Sequence, residues 1–145
     1  MTAQEIALIR KSYARVMPIA DQAAALFYAR LFELDPSLRE SISGDRAEQG
    51  RKLMHMLAFV VNGLDRLDHL VRAVRHLGLR SGVQPVREDQ YETVGEALLW
   101  TLAKGLGDEF TLDTRIAWGK TYWMLAETMK AGVRDSAAKA ARAFV

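Results

Sequence analysis

A chain of 145 residues is long enough to bury one hydrophobic core, so a single domain over 1–145 is expected. Half of it is hydrophobic and the formal charge is only +2, with acidic and basic residues interspersed, so no basic run or aromatic platform offers itself to nucleic acid. The lack of cysteine excludes disulfides, thiolate metal sites and cysteine nucleophiles.

The N-terminus has no basic-then-apolar leader, and no apolar run approaches the roughly 20 residues of a membrane span, so a cytoplasmic protein without membrane contact is expected. Thr2 and Glu5 form a Thr-x-x-Glu capping box that opens a helix from Ala3 to about Met17. Pro18 marks a break or a new first turn. Ala20, Ala24, Phe27, Leu31 and Leu34 recur at helical spacing and predict a second helix to about Leu34. Asp35-Pro36 caps and starts a short third helix through about Ser41. After the Ser43-Gly44-Asp45 turn, Asp45 caps a helix from Arg46 to Leu64, whose apolar stripe is Leu53, Met56, Leu57, Val60, Val61 and Leu64. Leu67, Leu70, Val71, Val74 and Leu77 define the next helix, to about Arg80, which Gly82 and Pro85 end. Tyr91, Val94, Leu98 and Leu102 mark a long helix to about Gly105–Gly107. The last helix opens at Thr111 and carries Trp118, Tyr122, Leu125 and Met129 on one face. Residues 133–145, rich in Ala, Lys and Arg, read as a mobile or helical tail. With no strand pattern or repeat, the fold class is all-α, six to seven helices joined by short connections.

Each residue turns a helix by about 100°, which places Gln49 at the edge of the apolar stripe and His55 nearly opposite. His55, His69 and His76 are the only imidazoles, and none has a second ligand at metal-binding spacing. All three read as surface residues. His76 lies about 140° around its helix from Ser81. Tyr28 sits near the inner face of the second helix, as a core tyrosine with a polar edge or as a donor into a cavity. Tyr91 can bond back into the loop before it. Met54, Met56, Met124 and Met129 read as core packing. No phosphate loop, Ser/His/Asp set or carboxylate pair suggests catalysis.

FYARLFELDPSL (27–38), YETVGEALLWTL (91–102) and AWGKTYWMLA (117–126) resemble the globin domain of bacterial flavohaemoglobins and their single-domain relatives. The resemblance covers nearly the whole chain and implies a globin-like fold. It further implies haem b between two helices, with O2, NO or another small ligand on the distal side. Tyr28 matches the family's distal tyrosine, Gln49 its distal glutamine and Leu53 the apolar distal residue. The Tyr hydroxyl and Gln amide can donate to bound O2, which develops negative charge. Tyr91 matches the tyrosine that buttresses the proximal ligand.

The chain departs from that pattern in three places. Aligned without a gap from Leu53, the proximal histidine position holds Ser81, and a hydroxyl is a poor iron ligand beside imidazole. The phenylalanine that packs on the haem becomes Ile42, and the loop after it is shorter than the family's. Val133 stands where an acidic residue polarises the proximal histidine. His76 as ligand instead would need a rotated helix and a longer following loop; Tyr28 is another alternative.

These residues fit a globin that binds haem weakly or not at all and serves as a ligand-binding or sensing module. They also fit a haem-binding O2 or NO globin with atypical iron ligation. NO dioxygenase activity follows from the resemblance alone, since no flavin or nicotinamide domain follows to supply electrons. Nothing in the sequence indicates a protein partner.

Overall fold

The computed structural model describes residues 1–41, 45–81 and 87–143, apart from the side chains of 41, 77–81, 136–137 and 139–143. Within these residues the chain forms seven α-helices and short 3-10 turns, with no strand.

Helix α1 (Ala3–Val16) begins with the capping box: Glu5 N–H donates to Thr2 Oγ1 at 3.1 Å and Thr2 N–H to Glu5 Oε1 at 3.0 Å. Pro18 lies in a 3-10 turn, Met17–Ile19, after which α2 (Ala20–Leu34) starts afresh. Asp35 accepts from the backbone N–H and hydroxyl of Ser37, which turns the chain into α3 (Leu38–Ser41). Asp45 caps α4 (Arg46–Asn62) through the N–H of Ala47. This helix stops two residues before the predicted Leu64, because the chain turns at Gly63 and tightens into a 3-10 turn over Leu64–Arg66. Helix α5 (Leu67–Ser81) follows directly. A turn at Glu88–Gln90 leads into α6 (Tyr91–Leu106), which ends where Gly107 takes φ +56°, a conformation that favours glycine. Helix α7 (Leu112–Ala143) runs through the predicted tail, where Arg134 pairs with Glu88 and Asp135 with Arg75 of α5.

Helix α2 packs on α6 and α4, while α7 packs on α1, α5 and α6. Ile9, Leu31, Leu38, Leu64 and Trp118 are among the most deeply buried side chains at the centre. The Trp118 indole N–H finds its acceptor in the buried Ser12 hydroxyl, at 2.8 Å across 106 residues of sequence. Tyr122 donates to the Tyr91 carbonyl at 2.6 Å and lies over Gly95, where a Cβ would approach Tyr122 Cε2 to 2.7 Å. Met54 and Met129 join the core as expected. Met56 does not; it is 43% exposed, for a reason that bears on the site.

Candidate ligand-binding cleft

Helices α4 and α5 touch at the Gly63 corner, where Leu70 Cδ1 lies 3.2 Å from the Cβ position of Gly63. Beyond that corner, α4 packs on α2 and α5 on α7. By helical register the side of α4 that Gly63 turns toward α5 also carries Gln49, Met56 and Phe59, all within about 40° of it. Met56 and Phe59 are 43% and 51% exposed. Two large apolar side chains on this side of α4 are thus uncovered. Large exposed apolar surfaces of this kind mark ligand grooves or partner sites. The stripe read from sequence contained Met56 but not Phe59. Its signal was the spacing of four residues to Gly63, which makes sense only once the corner is known.

Tyr28 of α2 is 8% exposed, with the Phe27 ring edge-on at 5.1 Å and Phe32 at 6.0 Å. Its hydroxyl donates to the main-chain carbonyl of Gln49 at 3.2 Å. Burial pushes the Tyr28 pKa up, so the group remains a protonated donor. One residue on, a Cβ at Gly50 would meet Ala24 Cβ at 3.1 Å, which marks the close crossing of α2 and α4. Leu53 is half-buried and packs against the core. The fold therefore brings Tyr28 to Gln49 at one crossing, with Leu53 one turn further along α4.

On the other side, Leu70 and Val74 of α5 are buried. The α5 backbone is helical to Ser81, so position 81 falls about 20° from Leu70 in register. The Ser81 side chain lies outside the described residues, as does Ile42 altogether. Tyr91 is buried at the start of α6, with the Lys130 ammonium 5.2 Å from its ring centre. Burial first, and the Glu88 carboxylate second, push the Tyr91 pKa up. Glu88 itself is held below the usual carboxylate range by the Arg134 guanidinium, which it accepts at both oxygens. Val133 is half-buried on α7.

The apolar wall and the buried tyrosine donor suit a flat apolar ring such as haem. The donor set suits its iron less well: His55, His69 and His76 are all exposed, and His69 and His76 lie about 100° and 120° from Leu70 around α5. No group of three or more metal-capable side chains gathers among the described residues. None of the helices among those residues is long and apolar enough to cross a membrane.

A family model described as Globin matches residues 25–129, from α2 well into α7. That span contains Tyr28, Gln49, Leu53, the whole of α5 and Tyr91. With helices packed in this arrangement over most of its length, the chain belongs to the globin family.

Proposed function

We propose that this globin, of the flavohaemoglobin haem-domain type, is a ligand-binding or sensing module. Haem enters its cleft weakly, without an imidazole bond from α5. The observation that carries the reading is the register of α5. Position 81, a serine, falls in helical register between the buried Leu70 and Val74, while both histidines of the helix stand exposed on another side. Haem without an axial protein bond keeps its apolar burial and loses its anchor, so affinity falls. The cleft takes a small ligand whose acceptor atom meets Tyr28 and Gln49; Leu53, Met56 and Phe59 supply its apolar lining. Val133 and Ile42, at positions where the family has polarising and haem-packing residues, support the same reading. Tyr91 is then a packing residue with no ligand to buttress.

The absorption spectrum of the purified protein tests this. Little or no Soret band is expected, and added haem should be lost on a desalting column. One equivalent of haem retained with a sharp Soret band would overturn the proposal. His76→Ala should leave any haem spectrum unchanged.

A further inference from the structure

The Tyr28 hydroxyl has a single proton, and in this structure it is already committed. It goes to the main-chain carbonyl of Gln49 at 3.2 Å, on a different helix and 21 residues away. In α4 that same carbonyl also takes the N–H of Leu53, by the regular pattern of the helix. One residue further, Gly50 sits against Ala24, the residue one turn before Tyr28. Two contacts one turn apart on α2 therefore fasten the first turns of α4: a steric one at Ala24 and Gly50, and a polar one at Tyr28 and Gln49. A hydroxyl that donates to a carbonyl cannot donate at the same moment to a ligand.

We propose that the Tyr28–Gln49 hydrogen bond is a clasp between α2 and α4 that a ligand opens, by offering the hydroxyl a better acceptor and so releasing the start of α4. This rests on the reading of the α4–α5 cleft as a ligand site. The clasp ties occupancy to the freedom of α4. A ligand with a strong acceptor atom takes the proton, and the Gln49 carbonyl loses the Tyr28 bond. A ligand of the same size with a weak acceptor leaves the clasp closed. The α4 turns around residues 46–53 then report which kind of ligand is present.

Backbone hydrogen exchange over 46–53 tests the clasp, first with no ligand. Tyr28→Phe keeps the ring and removes the proton. Exchange in this segment should quicken about fivefold, what the loss of one ordinary hydrogen bond permits, while α6 and α7 stay unchanged. Unchanged exchange would overturn the proposal. The second arm uses the wild-type protein with ferric haem in excess, with and without fluoride, an anion that binds ferric iron and is a strong hydrogen-bond acceptor, and does not depend on how the variant folds. Quicker exchange over 46–53 with fluoride than without supports the clasp; equal exchange in both refutes it. Failure to take up haem even in excess would count against the cleft as a haem site, and the ligand-free comparison would still decide whether the bond fastens α4.

Discussion

Gly95 leaves room for the Tyr122 ring, and the space has a use: Tyr122 crosses it to donate to the Tyr91 carbonyl. Tyr122 is half-buried, and its pKa is pushed up by burial first and by Tyr91 second, so the hydroxyl stays protonated. Gly95→Ala would set a Cβ 2.7 Å from an aromatic carbon whose ring is held at its far end by that bond. The expected cost is about 1–3 kcal/mol, the range for overpacking a tight core, read as a lower midpoint in urea with an unchanged slope. A neutral result would mean that Tyr122 swings away freely and that its bond to Tyr91 is dispensable.

At the level of elements, the α1 start makes a prediction with a sign. Glu5 is pulled from 4.5 to about 2, first by the Thr2 backbone N–H, then by Lys120, which it meets at 3.0 Å. A carboxylate depressed on folding stabilises the fold above its unfolded value, and the contribution fades as pH drops from about 4.5 toward about 2. The gap in melting temperature between wild type and Glu5→Gln should therefore be open at pH 7 and close on acidification through that window. A gap constant with pH would deny the carboxylate its role in the cap. This cap was readable in advance because it is local: Thr2 and Glu5 are three residues apart. The same holds for Asp35, Asp45 and Pro18, whose effects act on their nearest backbone neighbours. The end of α4 was less readable. Leu64 continues the apolar period and is buried, yet it lies in a 3-10 turn, because packing at the Gly63 corner overrode the periodicity. Met56 fits the stripe equally well and is exposed, since a periodic pattern marks an apolar side and not what covers it.

For the molecule as a whole, the division of labour between helix pairs sets what a ligand can do. Helix α5 is bound to α7 by packing and by Arg75–Asp135, and Arg134–Glu88 ties the preceding α7 residue to the turn before α6. Exposed pairs of this kind contribute about 0–1 kcal/mol each, so packing holds that side and the α4 side is the freer wall. Resemblance singled out Tyr28 and Gln49, but the bond between them could not be read from sequence. It joins two helices through a main-chain atom, which no side-chain pattern encodes. The final prediction follows from linkage. A ligand that binds only the folded state stabilises it by RT ln(1 + [L]/Kd), about 2.7 kcal/mol at 100 times Kd, or about 5–10 °C for a domain of this size. If position 81 is where an axial ligand is lacking, micromolar haem should raise the wild-type melting temperature by under about 2 °C. It should raise that of Ser81→His by several degrees, with a Soret band appearing in the variant. Val74→His, buried on the same helix and about 20° from position 81 in register but two turns earlier, is the control; it should lower stability with no gain from haem. Equal haem shifts for wild type and Ser81→His would mean that the iron, if held, is anchored from elsewhere in the cleft.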